Sequence, residues 1–140
     1  METLGQKQRR FAKLFSGLLV YIHSRGYGVT FGEGLRSDEQ AEINALGFAG
    51  RERLAKTVEA SFPALAVKIR NNDKANGVRS SLHQLKLAQD VNLFMGDRYL
   101  PSSEDHKIFG EWWESQAPDC RWGGRWGDGN HYSIEHGGVK

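Results

Sequence analysis

An amphipathic stripe near the N-terminus constrains this chain more than any other feature. Its apolar residues recur every three or four positions, so they fall on one face of a helix over residues 6–24: Phe11, Leu14, Phe15, Leu18, Leu19 and Ile22. Lys13 interrupts the apolar run and no small-x-small cleavage site follows it, so we do not interpret the segment as a signal peptide. The stripe predicts a folded helix whose apolar face packs on another part of the chain.

The rest of the chain alternates between strand-like and helical patterns. Runs rich in β-branched and aromatic residues, or with alternating polarity, predict strands over residues 27–35, 88–94, 98–100 and 131–135. Helices are predicted over residues 37–46, over parts of 51–70 around Pro63, and from Ser102 or Ser103 to Pro118. Residues 47–50, 71–81 and 121–129 are predicted to be a break and two loops. These elements indicate an α+β fold, with helices on an antiparallel sheet, in a single catalytic domain over residues 1–140.

Composition excludes several classes of protein. Cys120 is the only cysteine, which rules out an internal disulfide and a multi-cysteine zinc cluster. No apolar run reaches the roughly 18 residues of a membrane span, so no stable membrane insertion is expected. The net charge is only +2, and basic residues are scattered among acidic ones, so nucleic-acid binding ranks last among the possible functions.

A first group of candidate metal ligands lies in residues 81–90. His83 and Asp90 are seven residues apart, which in a continuous helix would separate them by about 10.5 Å along its axis. Donor atoms that share one zinc ion must each lie about 2.0–2.2 Å from it. A shared ion therefore requires the chain to fold back between the two residues, as a turn after His83 that enters a strand at Ala88 would allow.

A second group lies in residues 128–136. Asp128 stands in a glycine-rich turn three residues before His131, and Glu135 and His136 follow. If residues 131–136 form a strand, His131 and His136 face opposite sides, so only one of them can reach a shared site. Together with His83 and Asp90, this group offers three ligands and a spare carboxylate, which is the inventory of an open catalytic zinc site. His131 as ligand with Asp128 as base is favoured; His136 with Glu135 is the alternative.

The two groups resemble the motifs of the zinc peptidases of bacterial peptidoglycan, which include D-alanyl-D-alanine carboxypeptidases and phage L-alanyl-D-glutamate endopeptidases. Their motif is Ser-x-His-x-x-Gly-x-Ala-x-Asp followed by an acid-x-x-His, and Ser81, His83, Ala88 and Asp90 match the first part in register. Asp128 and His131 match the second part. The acid at position 128 is an aspartate, and in this respect the sequence resembles the phage endopeptidase branch of the family. Upstream, residues 35–37 (Leu-Arg-Ser) are similar to the family's Tyr-Arg-Ser segment.

This resemblance implies a role for each residue. His83, Asp90 and His131 would bind zinc, and Asp128 would be the general base. Arg36 and Ser81 would bind a carboxylate or carbonyl of a peptidoglycan stem peptide.

The implied protein is a monomeric phage or prophage endolysin that cuts the L-Ala–D-Glu bond. It would be made in the host cytoplasm without a signal peptide and would act on the cell wall in the periplasm after release. A D-Ala-D-Ala carboxypeptidase and a non-catalytic wall-binding module on the same fold are the alternatives.

Some residues depart from the motif or allow two interpretations. Lys86 occupies the position of the family's glycine, so it must adopt a strained backbone if that position requires a positive φ. His106 is predicted to be a solvent-exposed residue in the first turn of a helix. Trp122 and Trp126 fit equally well as walls of a cleft or as packing beneath the loop.

Overall fold

The computed structural model describes residues 1–71 and 81–140, so most of the polar loop predicted for residues 71–81 lies outside the described residues. The helices are α1 (Leu4–Ser24), α2 (Asp38–Ala45), α3 (Gly47–Val58), α4 (Pro63–Arg70) and α5 (Ser103–Gln116). The strands are β1 (Gly28–Phe31), β2 (Ala88–Met95), β3 (Arg98–Leu100), β4 (Cys120–Trp122) and β5 (His131–Ile134). The predicted α+β class is therefore confirmed.

The chain divides into two compact units. The first unit comprises Met1–Leu35 and Leu82–Lys140, and the second comprises Arg36–Ser81. The first unit holds α1, α5 and all five strands, whereas the second holds α2, α3 and α4. The assignment of residues 1–140 to a single catalytic domain stays a prediction.

Helix α1 forms as its amphipathic pattern predicts. Thr3 caps it, because the Thr3 side chain accepts from the backbone N–H of Gln6 while the Gln6 side chain accepts from the Thr3 backbone N–H. The buried residues of the helix are Phe11, Phe15, Leu18 and Ile22, all of them members of the predicted stripe. Within the described ranges, no helix is both long enough and apolar enough to cross a membrane.

The sheet of the first unit is antiparallel, and four of its strands follow the order β1-β2-β5-β4. The remaining strand, β3, pairs with β2. Strand β2 is central because it pairs with three strands: its first part pairs with β5, and its second part pairs with both β1 and β3. The apolar side chains of the sheet share one core with α1 and α5; fully buried members of this core include Val91, Leu93, Phe109, Trp113 and Tyr132. Burial of these large side chains supplies the main driving force for folding of the unit.

The second unit is a small helical group. Ser37 caps α2 by accepting from the backbone N–H of Gln40, and Pro63 occupies the first turn of α4, where its missing N–H costs no hydrogen bond. The predicted break over residues 47–50 is wrong, because these residues belong to α3. The helical path breaks only around Leu46, because Gly47 takes a φ of +65° and starts α3 at once.

The Gly/Trp stretch also differs from the prediction of a loop over residues 121–129. Its first part belongs to β4, which pairs with β5, and Gly123–Trp126 forms a short 3₁₀ helix. Trp122 stabilises this arrangement because its side chain is buried and its indole N–H donates to the Gly129 carbonyl at 2.7 Å. The C-terminal part of the chain therefore has more regular structure than its glycine content indicates.

Candidate metal centre

Strand pairing places Asp90 and His131 side by side. The two residues are direct partners in the antiparallel register of β2 and β5, so their side chains project from the same face of the sheet. The Nδ1 atom of His131 lies 3.2 Å from Oδ1 of Asp90. The side chains are 9% and 14% exposed, respectively, so both are largely removed from solvent.

A tight turn brings His83 to the same point. The backbone N–H groups of Leu85 and Leu87 both donate to the Leu82 carbonyl, and Leu82 and Leu87 are buried anchors on either side of the turn. Lys86 closes the turn with a φ of +55°, in the left-handed region that favours glycine. The chain thus folds back between His83 and Asp90, as a shared site requires.

The three donor atoms form a nearly equilateral triangle. Nε2 of His83 lies 3.2 Å from Nδ1 of His131 and 3.3 Å from Oδ1 of Asp90, and the third side measures 3.2 Å. A tetrahedral zinc ion about 2.0 Å from each donor separates its ligands by about 3.3 Å. These are three residues that could hold one metal ion.

The hydrogen-bonding pattern of His83 also favours a cation at this point. Nδ1 of His83 lies 3.1 Å from the Gly34 carbonyl, which can only accept, so Nδ1 carries the proton. The lone pair of Nε2 then faces the Asp90 carboxylate, and two acceptors at that distance repel each other unless a proton or a metal ion lies between them. Nε2 of His131 is buried with no hydrogen-bond partner in the described part of the chain, so the polar contacts of this ring are made through Nδ1.

The electrostatics of the triangle show how strongly the three side chains interact. Burial by itself would raise the pKa of Asp90, but hydrogen bonds from His131 and His83 lower that pKa to about 2. Burial likewise opposes protonation of His83, yet contact with the Asp90 carboxylate raises the His83 pKa above its ordinary value. Asp90 is therefore an anion at neutral pH, the form in which a carboxylate binds a metal.

The other predicted site residues stand as follows. Asp128 lies in the turn before β5 with an exposed side chain; its backbone carbonyl accepts from the His131 N–H at 3.1 Å. Arg36 and Ser81 are the first and last residues of the second unit. The roles of Asp128 as base and of Arg36 and Ser81 in substrate binding stay predictions.

The alternative pair at the end of β5 does not join the triangle. His136 forms an isolated bridge with Val139, and the carboxylate of Glu135 binds Arg121 at 2.6 Å. The structure therefore brings His131, and not His136, together with His83 and Asp90. Glu135 has a structural partner of its own rather than a metal ligand to orient.

The structure also decides the environment of one histidine and two tryptophans near the site. The prediction of an exposed His106 is wrong: its side chain is buried, and its Nδ1 lies 3.0 Å from the Tyr132 hydroxyl. The two tryptophans of the Gly/Trp stretch differ from each other. Trp122 is buried, whereas Trp126 is 47% exposed and its ring centre lies 6.0 Å from that of His131. The exposed ring of Trp126 therefore lies next to the candidate metal ligand His131.

Comparisons with known proteins found a likeness in structure but none in sequence. No protein-family model matches the chain, and no curated protein matches it in sequence. Among solved structures, it is similar to a zinc complex of a mutant of the vancomycin resistance D,D-pentapeptidase VanY from a VanB-type resistance cassette. The two share 16% sequence identity with a TM-score of 0.47, over 89% of this chain and 70% of that one.

Proposed function

We propose that this protein is a zinc-dependent peptidase of bacterial peptidoglycan. The observation that carries the proposal is the triangle of His83, Asp90 and His131, whose donor atoms lie 3.2–3.3 Å apart. Two imidazoles and one carboxylate are a common ligand set of catalytic zinc sites, which keep a further position open for water or substrate. The register match of Ser81, His83, Ala88 and Asp90 with the peptidase motif supports the same assignment.

A zinc ion held by His83, Asp90 and His131 would supply two kinds of chemistry: it would lower the pKa of a bound water toward 7, and it would polarise the scissile carbonyl. The transfer of protons is assigned to a residue of the chain. Asp128 accepts the proton of the water and passes it to the departing amine. Its exposure to solvent and its position in the turn that leads into His131 support that role.

Substrate binding is assigned to Arg36 and Ser81. The planar guanidinium of Arg36 suits a carboxylate of the stem peptide, because it can donate two parallel hydrogen bonds. The hydroxyl of Ser81 can donate to a carbonyl or carboxylate oxygen. Both assignments follow from the resemblance of their segments to the peptidase motifs.

The finer proposal is a phage or prophage endolysin that cuts between L-Ala and D-Glu, acting as a monomer on the cell wall after release from the host cytoplasm. Aspartate at position 128, in place of the glutamate that the carboxypeptidases commonly carry, supports the endopeptidase branch. A D-Ala-D-Ala carboxypeptidase is the main alternative, because it would use the same zinc ligands.

Mass spectrometry of purified peptidoglycan incubated with the protein, with and without a chelator, tests the proposal. We expect chelator-sensitive release of stem peptides cut at L-Ala. Release of only the terminal D-Ala would identify a carboxypeptidase instead. No cleavage by a zinc-loaded protein would contradict the enzymatic assignment and leave a wall-binding module. The Asp128→Asn variant is the matched comparison, since it should keep zinc and lose turnover.

A further inference from the structure

The sheet face that carries the candidate metal centre continues beyond it along β2. Side chains alternate between the two faces of a strand, so Asn92 and Phe94 project from the same face as Asp90. At about 3.3 Å per residue, Asn92 lies about 7 Å and Phe94 about 13 Å along the strand from Asp90. The proposed function gives these two residues no role.

This part of the face is polar near the metal centre and aromatic farther from it. The Asn92 amide donates to the Thr30 hydroxyl at 3.1 Å, and the two residues are direct partners in β2 and β1. Phe94 and Tyr99 are direct partners in β2 and β3, with ring centres 5.4 Å apart. Phe94 is half-buried and Tyr99 is 49% exposed. Thr30, Asn92, Phe94 and Tyr99 together form a surface that we call the distal strip.

A cavity of about 290 Å³ opens beside the distal strip, at Phe94. Gly28 lies opposite Phe94 in β1, and a Cβ atom at Gly28 would meet open space, so no side chain fills the cavity from that position. Thr30 and the exposed Asp97 also line the cavity. Its volume is close to the lower limit for sites that bind small ligands, and its lining combines an aromatic ring with a few polar groups, as such sites do.

The chemistry of the strip and its cavity suits an uncharged sugar. The C–H groups of a pyranose ring pack on the negatively polarised face of an aromatic ring, and its hydroxyl and N-acetyl groups exchange hydrogen bonds with amide, hydroxyl and carboxylate side chains. Asp97 is the charged residue among the described residues that line the cavity, and neither Lys nor Arg is among them. Asp97 would repel the carboxylates of a stem peptide, so the sugar end of the substrate fits better than the peptide end.

The distance from the metal centre also matches the sugar end of a stem peptide that is cut at L-Ala–D-Glu. In peptidoglycan, L-Ala is joined to N-acetylmuramic acid through a lactyl group. L-Ala and the lactyl group span about two residue lengths, so the sugar begins about 7 Å from the scissile carbonyl. The D-Ala–D-Ala bond lies three residues farther away, about 17 Å from the sugar. The distal strip, which spans about 7–13 Å from Asp90, agrees with the shorter distance.

We propose that the distal strip is a sugar subsite, which binds the N-acetylmuramic acid unit of peptidoglycan while the adjoining L-Ala–D-Glu bond lies at the metal centre. Phe94 and Tyr99 provide the apolar platform, and Asn92 provides a hydrogen-bonding contact. The inference rests on the proposed function, because it takes peptidoglycan as the substrate. The protein should therefore bind stem peptides that are attached to the glycan strand more tightly than free stem peptides.

Titration calorimetry with two ligands that differ only in the sugar tests the proposal. N-Acetylmuramyl-L-Ala–D-Glu and lactyl-L-Ala–D-Glu carry the same carboxylates, and the full-length protein is kept zinc-free so that neither ligand is hydrolysed. We expect the muramyl ligand to bind about tenfold more tightly, a preference typical of aromatic packing. Equal affinity for the two ligands would overturn the proposal.

Variants of the aromatic platform should remove this preference selectively. We expect Tyr99→Ala and Phe94→Leu each to reduce it to about threefold or less, because an aromatic face is lost. Their affinity for lactyl-L-Ala–D-Glu should not change, and this selectivity distinguishes a lost sugar contact from a damaged fold. A full tenfold preference in both variants would refute the subsite.

Phe31→Ala is the matched control. Phe31 is an aromatic residue of the same sheet and is 62% exposed, but it projects from the opposite face, where its ring lies 6.3 Å from that of Phe15 in α1. The tenfold preference should persist in this variant. An equal loss of preference in Phe31→Ala would show that the sugar contacts exposed aromatic residues without selection, which would also overturn the proposal.

Hydrolysis of the same two ligands by the zinc-loaded protein separates this inference from the proposed function. Hydrolysis of both ligands without any preference in binding would refute the sugar subsite and leave the peptidase intact. The expected binding preference, lost in Tyr99→Ala and Phe94→Leu but without hydrolysis of either ligand, would support the subsite and refute the peptidase.

Discussion

The candidate metal centre depends on which nitrogen each histidine presents. His83 presents Nε2 because its Nδ1 is held by the Gly34 carbonyl, whereas His131 presents Nδ1 because β5 places its ring directly opposite Asp90. A backbone carbonyl and a strand register thus perform the orienting task that outer hydrogen bonds perform around many metal ions. The residue types alone do not create the site; their backbone environment selects the donor atoms.

Removal of any one donor of the triangle should abolish tight zinc binding. We expect His83→Ala, Asp90→Ala and His131→Ala each to weaken zinc affinity by about 100-fold or more, since only two ligands remain. Competition with a chromogenic chelator measures the affinity, and circular dichroism checks the fold. His136→Ala is the matched control and should bind zinc as the original protein does. Loss of zinc in that control alone would transfer the ligand role to His136.

At the scale of single elements, the sequence predicted those parts of the fold that rest on local patterns. Helix α1 follows from its apolar stripe, β2 from its alternation, and α5 from the Ser102 cap. The fold-back between His83 and Asp90 followed from the distances that a shared ion demands. Parts that depend on distant partners were missed: His106 is buried because it meets Tyr132, 26 residues later in the chain. Strand β4 was missed because its residues pair with β5 inside a glycine-rich stretch.

Gly123, the first residue of the 3₁₀ helix that follows β4, should tolerate no side chain. A Cβ atom at this position would overlap the Asp128 carbonyl oxygen and lie 2.8 Å from the Cβ of His131. We expect Gly123→Ala to lower the free energy of unfolding by about 2 kcal/mol and to weaken zinc binding, because relief of the overlap displaces His131. Gly28→Ala is the control, since a Cβ there meets open space. Unchanged zinc affinity in Gly123→Ala would show that the close packing at Gly123 does not position His131.

An ion pair between α1 and the turn that precedes β4 should make stability depend on pH. Arg10 donates two hydrogen bonds to the Asp119 carboxylate, at 3.0 and 2.7 Å, and thereby holds the pKa of Asp119 below its ordinary value of 3.8. A lowered pKa stabilises the folded state above the unfolded-state value, and this contribution disappears as the pH falls through the folded-state value.

Asp119→Asn should therefore reduce the free energy of unfolding by about 1 kcal/mol or less at pH 7, a size typical of partly exposed pairs. The difference from the original protein should shrink below about pH 4, where the carboxylate becomes protonated. Urea unfolding at a series of pH values measures it. Glu104→Gln is the control, because its pair with Lys107 is highly exposed. A difference that persists unchanged at low pH would assign the effect to packing rather than to charge.

At the scale of the whole molecule, the metal ligands and the predicted substrate residues are divided between the two units. His83, Asp90 and His131 belong to the first unit, whereas Arg36 and Ser81 are the first and last residues of the second. The large hydrophobic core consists only of residues from the first unit, and the smaller core of Ala55, Ala66 and Ile69 belongs to the second. Metal binding and substrate recognition should therefore be separable by mutation.

The chain leaves and re-enters the first unit at neighbouring points, because the Gly34 carbonyl lies 3.1 Å from Nδ1 of His83. Replacement of residues 36–81 by a linker of about four glycines should therefore preserve a folded protein that binds zinc within about tenfold of the original affinity. Peptidase activity should be lost, since Arg36 and Ser81 are removed. Thermal unfolding and chelator competition measure the first two properties. An unfolded variant would show that residues 1–140 form one cooperative domain, and retained hydrolysis would remove Arg36 and Ser81 from the substrate site.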